Sequence, residues 1–245
     1  MRIRFGIALI AWTGLFQSLP TELQSASLQV SPVSIELQAP AAAATLKLNN
    51  EGATPLNAQI RVFRWSQVNG EDKLEPTEDV VASPPIASLA PRTDYTVRLV
   101  RVAKRPVAAG ETYRLLVDEL PDAKGQRNGV VNLVLRYSIP VFFYPREAAA
   151  SKLAWSIEQH NGRVSVAARN DGDRHVRISV LKVQDGNGST VSFGNGLTGY
   201  VLGRSTMRWL APASAHRVAL GSSVVITAQS DYGPINAAPS MQPSR

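Results

Sequence analysis

The sequence predicts an all-β protein of two antiparallel sandwiches, and three observations predict it. Apolar and polar residues alternate with a period of two through most of the chain after Ser27, as half-buried strands require. Turn pairs interrupt the alternation at Asn69-Gly70, Asn161-Gly162, Asp171-Gly172, Asp185-Gly186 and Asn187-Gly188. Such pairs supply the positive backbone angles that tight hairpins need. No convincing amphipathic helix longer than two turns is present; only REAAASKLAW (146–155) has helical composition, and it reads as a connector.

The elements follow in order. Arg2 and Arg4 precede the short apolar run FGIALIAWTGLF (5–16), and QSAS (24–27) offers small residues for cleavage. That run is too short to span a bilayer, so residues 1–26 read as a signal peptide. The segments SLQVSPVSIEL, ATLKLNN, NAQIRVFRWSQ, TDYTVRLVRV and ETYRLLVDEL then alternate as strands. GVVNLVLRYSIPVFFYPRE (129–147) follows and is unusual: 19 residues at about 3.3 Å each exceed the common strand several-fold. One parity carries Val131, Leu133, Leu135, Tyr137, Ile139, Val141 and Phe143, while Pro140 marks an edge or a break.

About seven strands over 27–145 at 8–12-residue spacing give a first, immunoglobulin-like sandwich. YPREAAASK (144–152) is the boundary, where composition shifts to alanine. Residues 146–235 form a second β-domain, and the apolar-poor tail 236–245 is expected to be disordered.

Composition narrows the function. A formal charge of +7 and a pI of about 10.0 raise nucleic acid as a partner. Yet the basic residues are scattered among strands with no basic run or binding signature, so nucleic acid is not expected. The absence of cysteine excludes thiol catalysis, disulfides and cysteine-based zinc sites. The histidines, His160, His175 and His216, each fall where a solvent-facing strand or turn position is expected, so neither a metal site nor a Ser-His-Asp triad is predicted. FGNGLTG (193–199) lacks the strand-to-helix context of a phosphate loop and reads as a β-loop. Glu111, Asp118 and Glu119 offer no acid/base pair, and no enzyme is expected.

Several segments together resemble the periplasmic pilus chaperones of the chaperone–usher pathway. These are VVASPPIASLAPRTDYTVRL (80–99), LLVDELP (115–121), the long strand closing in FFYP, GRVSVAARNDGDRHVRISVLKV (162–183), LAPASAHRV (210–218) and SDYGPI (230–235). Each is weak alone; their order along the chain is specific. The resemblance implies two immunoglobulin-like β-sandwiches set at an angle around a cleft, no cofactor and no ATP. It implies pilus subunits and an outer-membrane usher as partners, and the free chain could cap itself as a homodimer. Subunits in that family are sandwiches missing one strand, and the chaperone lends its own. By alignment through FFYP the donor residues are Val131, Leu133, Leu135 and Tyr137. The resemblance also carries an interdomain ion-pair network onto Arg98, Glu119 and Asp231.

The chain departs from the pattern in its cleft. Family members with a charged cleft grip the subunit's terminal carboxylate with an Arg from the first strand and a Lys from the long strand. The matching positions here are Ser34 (or Val33) and Pro140, and neither is a cation. That departure and the short VRVAKRPVAAG connection (100–110) fit the archaic or alternative branch. Arg136, sharing the parity of Pro140, is the candidate carboxylate anchor. The rival reading is a structural pilus subunit or adhesin of two sandwiches, with SLQVSPVSIEL as its donor extension.

Overall fold

The computed structural model describes residues 27–121, 134–160, 163–213, 215 and 223–241. The expected signal peptide, Val131, Leu133 and His216 lie outside the described residues. Every regular element among the described residues is a strand. The first ten are β1 (Leu28–Ser31), β2 (Ile35–Gln38), β3 (Ala43–Asn50), β4 (Leu56–Val68), β5 (Glu71–Pro76), β6 (Val80–Ser83), β7 (Ile86–Leu89), β8 (Thr93–Arg101), β9 (Glu111–Leu120) and β10 (Arg136–Tyr144). They form two sheets, β1-β3-β8-β6 and β2-β10-β9-β4-β5, with β7 also pairing β4.

The count exceeds seven because proline divides expected strands. SLQVSPVSIEL is not continuous. Its first half, β1, pairs antiparallel with β3 in one sheet, and its second half, β2, pairs parallel with β10 in the other. Pro32 lies between them and cannot donate to a ladder. The chain thus crosses from sheet to sheet at the edge of the sandwich.

Alternation fills the core between these sheets. Leu46, Leu48, Val97 and Leu99 point in from one side; Ile60, Tyr113, Leu115, Val117, Ile139, Val141 and Phe143 point in from the other. Each fully buried aliphatic side chain stabilises by about 1.5–3 kcal/mol before the entropy of ordering is counted. The parity predicted for the long strand holds through Ile139, Val141 and Phe143, and Leu135 and Tyr137 pack partly against the same core.

The second sandwich contains β11 (Leu153–His160), β12 (Arg163–Asn170), β13 (Val176–Gln184), β14 (Thr190–Ser192), β15 (Leu197–Val201), β16 (Thr206–Leu210), β17 (Val225–Ser230), β18 (Gly233–Ala237) and β19 (Ser240–Met241). Its sheets run β16-β12-β11-β19 and β14-β13-β17-β18, with β15 also pairing β13. The tail expected to be disordered is corrected here. Residues 236 and 237 complete β18 against β17, and Ser240 and Met241 pair with Ser156 and Ile157. Backbone hydrogen bonding holds the segment without a run of apolar side chains.

The two sandwiches share one local device. Asn50 and Asn170 are both buried at a strand end and followed two residues later by glycine. The Asn50 side chain donates to the carbonyls of Thr54, Leu89 and Ala90 and accepts from Gly52 N–H. Asn170 donates to Arg174 O and accepts from Lys152 and Gly172 N–H. A Cβ on Gly172 would stand 2.0 Å from Ala150 O, so only glycine fits that approach.

Candidate functional site

The free edge of β10 is built by unequal pairing. Along its length from Arg136 to Phe143, β10 is bonded to β9. On its other side β2 pairs only with Val141–Tyr144. Between Arg136 and Pro140 no described strand covers that edge. Pro140 tolerates the position because it lies where the ladder is one-sided. Of the expected donor residues, Leu135 and Tyr137 are half-buried against the core, and Tyr137 Oη donates to Leu28 O at 2.5 Å. Val134, on the opposite parity, is 50% exposed.

Beyond the free edge, the outer face of the same sheet meets the second sandwich. Phe142 and Tyr144 turn away from the first core and join Trp65, Tyr200 and Leu202 in an aromatic cluster spanning both sandwiches. The Trp65 and Tyr200 rings meet edge to face at 5.4 Å. The Gln67 side chain clamps the second sandwich's backbone, donating to Tyr200 O at 2.7 Å and accepting from Leu202 N–H at 3.0 Å. The β4–β5 hairpin reaches across as well, with Arg208 N–H donating to Gly70 O at 3.0 Å.

Within this cleft the structure places a cation that the sequence reading missed. Pro140 is paired across the ladder with Arg114 of β9. The Arg114 guanidinium lies 3.7 Å over the Trp65 ring and 5.1 Å over that of Tyr200, and burial lowers its affinity for its proton. Among the described residues no carboxylate is within ion-pair distance of it. The missed signal was alternation: Thr112, Arg114, Leu116 and Asp118 of β9 share the outward parity of Phe142, a relation visible only once the register of β9 against β10 is known.

Arg136 is placed differently from Arg114. Its Nε pairs with Asp118 Oδ1, and Arg61 Nη2 holds Asp118 Oδ2 at 2.6 Å. Burial would raise the Asp118 carboxyl, but the two guanidinium groups outweigh it and hold it below the usual carboxylate range. Arg136 is thus already engaged at the end of β10 remote from the second sandwich.

The expected network of Arg98, Glu119 and Asp231 is corrected. The β9 register sets Glu111 opposite Phe143, beside the second sandwich, and puts Glu119 at the far end of the strand near Leu135. Eight residues of strand separate these ends by about 26 Å. Arg98 is exposed on the outer face of the other sheet. Neither pairs with Asp231 among the described residues. Asp231 instead lies 3.6 Å from His175 Nε2 and accepts from Arg177 N–H at 3.1 Å. At the Glu111 end of β9 the first sandwich carries a buried Arg101–Glu111 pair at 2.8 Å, joined by Arg105, Asp79 and Arg64.

The solvent-facing placement expected of His175 is corrected too. Its side chain is 3% exposed and its ring stacks on Phe142 with centroids 3.7 Å apart. No group of histidines and carboxylates that could hold a metal occurs among the described residues, and no helix among them is long and apolar enough to cross a membrane.

This two-sandwich arrangement has relatives. The model of a family described as pili and flagellar-assembly chaperone, PapD N-terminal domain, matches residues 27–149. A chain in the crystal structure of the CsuC–CsuE chaperone–tip adhesion subunit pre-assembly complex, from archaic chaperone-usher Csu pili of Acinetobacter baumannii, superposes with a TM-score of 0.68. It is 25% identical, over 90% of this chain and 100% of that one. The CupB2 chaperone of Pseudomonas aeruginosa gives 0.57 at 19% identity, over 87% and 100% of the chains. The SafA pilin–SafB chaperone complex of Salmonella enterica gives 0.58 at 16% identity, over 86% and 96%. At those lower identities the likeness is one of fold. No curated protein sequence matches the chain significantly.

Proposed function

Because the chain belongs to the pili and flagellar-assembly chaperone family, we propose that it is a periplasmic chaperone that caps pilus subunits by donating β10 and its upstream extension as their missing strand. The observation that carries this reading is the half-paired edge of β10, bonded to β9 from Arg136 to Phe143 but covered by no described strand on its other side from Arg136 to Pro140. An incomplete sandwich can add its own edge strand there, and the main-chain hydrogen bonds satisfy both edges at once. Val131, Leu133 and Leu135, with Tyr137, are the side chains that enter the subunit's groove. Burying three such residues contributes on the order of 5–9 kcal/mol before ordering costs.

Arg114 replaces Arg136 as the candidate anchor for the subunit's terminal carboxylate. It is a guanidinium without a carboxylate partner among the described residues, positioned by Trp65 and Tyr200 beside the point where the free edge ends. A carboxylate arriving there would restore the charge balance that burial has disturbed, with a charge-assisted, two-pronged hydrogen bond. The uncharged Pro140 and the likeness to an archaic-pathway complex both favour the archaic branch. The family is one of chaperones rather than enzymes. Delivery to an outer-membrane usher, entry to the periplasm through the 1–26 segment, and pairing of two copies at the open edge when no subunit is present complete the reading.

The experiment is affinity purification of the tagged protein from its native periplasm, alongside a Leu133→Glu, Leu135→Glu variant. A stoichiometric β-rich subunit, lost in the variant, is the expected result. A subunit retained by the variant would move binding away from β10, and no subunit from a cell assembling pili would overturn the chaperone reading.

A further inference from the structure

His175 stands immediately before β13 in the second sandwich, yet half of its surroundings belong to the first. Phe142 stacks on its ring, and the Tyr144 hydroxyl lies 2.6 Å from Nδ1 while accepting the His175 backbone N–H at 3.2 Å. Nε2 faces two carboxylates: Glu36 of β2, across the junction, at 3.7 Å, and Asp231 of the β17–β18 turn, in its own sandwich, at 3.6 Å. The other charged or titratable groups are one layer out. Arg177 holds Asp231 through its backbone N–H, Arg174 lies 4.9 Å over the Tyr144 ring, Tyr232 is close to Asp231 and Glu36, and Arg114 sits beneath Tyr200.

The proton count decides what this arrangement does. A neutral imidazole carries one N–H and can donate either to Tyr144 or toward the carboxylates. An imidazolium donates at both ends, with Nδ1–H to the Tyr144 oxygen and Nε2–H between Glu36 and Asp231. Two carboxylates from different sandwiches repel each other unless a cation lies between them. Burial would raise the Asp231 carboxyl, but the His175 ring and the Arg177 N–H hold it below the usual range, so it meets the ring as an anion.

We propose that His175 is a proton-operated latch between the sandwiches: on gaining its second proton it draws Glu36 and Asp231 onto one imidazolium and narrows the range of interdomain arrangements. The consequence for capture, a cleft held more rigidly in acid, rests on the chaperone reading; the latch itself does not.

The test is an interdomain distance in the free protein. The chain contains no cysteine, so Lys47→Cys on β3 and Gln184→Cys on β13, both exposed, carry a spin-label pair without side reactions. Between about pH 8 and about pH 5.5, where imidazoles titrate, the distance distribution should narrow. The ratio of docked to undocked forms should rise about tenfold for each unit by which their proton affinities differ. His175→Gln should abolish the response. Should that variant fail to fold, Glu36→Gln decides, because it removes the carboxylate that His175 reaches across the junction and must shrink the response. An unchanged wild-type distribution, or a response preserved in the deciding variant, overturns the latch. Subunit capture is scored separately, so a pH response in a protein that captures nothing sinks the chaperone reading alone.

Discussion

Pro140 and Arg114 face each other across the β10–β9 ladder. The long strand therefore presents no charge at this point, and the neighbouring strand presents a guanidinium beside it. Stacking over Trp65 at 3.7 Å fixes its plane and limits its access to water. This pairing predicts that Arg114→Ala weakens subunit capture about 10–100-fold, the worth of a charge-assisted hydrogen bond lost at about 1.4–2.7 kcal/mol. Arg114→Lys should recover only part of it, because an ammonium is a point charge without a planar fork. Titration of purified subunit against each variant measures this. Wild-type affinity in Arg114→Ala would remove the anchor from the cleft.

A second prediction concerns Arg101 and Glu111, each with 8% of its side chain exposed. Arg101 donates to both carboxylate oxygens at 2.8 Å and caps the carbonyls of Ala103 and Arg105, so the β8–β9 connection hangs on one guanidinium. Removing either partner strands a buried charge. Glu111→Ala or Arg101→Ala should destabilise the protein by about 3–5 kcal/mol, while Arg101→Met with Glu111→Leu should lose much less. Urea unfolding of the singles and the double tests this directly; equal losses in all three would show that the pair's charges are not the cause.

The sequence made the sandwiches legible because alternation is local. Ile139, Val141 and Phe143 announce their shared face without any partner strand in view. The site was less legible because its parts meet through register. Nothing local to Arg114 says that it faces Pro140, or that the Glu111 end of β9, rather than the Glu119 end, lies beside Phe143 and the second sandwich. His175 reads as a surface histidine amid DRHVR until Phe142 covers it from the other sandwich. The tail misled for the opposite reason: residues 236–241 gain order from backbone pairing, which leaves little trace in composition.

Acid should unfold the protein through a defined set of carboxylates. Asp79, Glu111, Asp118, Asp173 and Asp231 all lie below their ordinary values. Arg105 is the main cause at Asp79 and the Ala149 N–H at Asp173. At Glu111 burial opposes the shift, and the bonds from Arg101 and Tyr113 overcome it. A depressed folded value adds stability at pH above the unfolded value, near 4, and that stability disappears as pH falls through the folded value. The urea midpoint should not fall between about pH 7 and about pH 5 and should drop below about pH 4. Glu111→Gln should be weaker at neutral pH and lose less on acidification. A wild-type midpoint unchanged at about pH 3 would contradict the assignment.

The contact between the sandwiches should fail at Gly110. A Cβ there would stand 2.7 Å from Asp173 O and 3.2 Å from Tyr144 Cε1, and the first of these is backbone that has no side-chain rotamer to yield. Gly110→Ala should therefore push the β8–β9 connection off the second sandwich and loosen the cluster of Trp65, Phe142, Tyr144, Tyr200 and Leu202. Each sandwich keeps its own core, so folding of either need not be lost. The expected result in calorimetry is a split or broadened transition where the parent protein melts as a coupled pair. Gly196→Ala is the control, since nothing lies within 4 Å of its added carbon, and its effect should stay within about 1 kcal/mol. If Gly110→Ala melts like the parent, the two sandwiches are not coupled through this contact, and the aromatic cluster with the Gln67 and Gly70 bonds must hold the cleft.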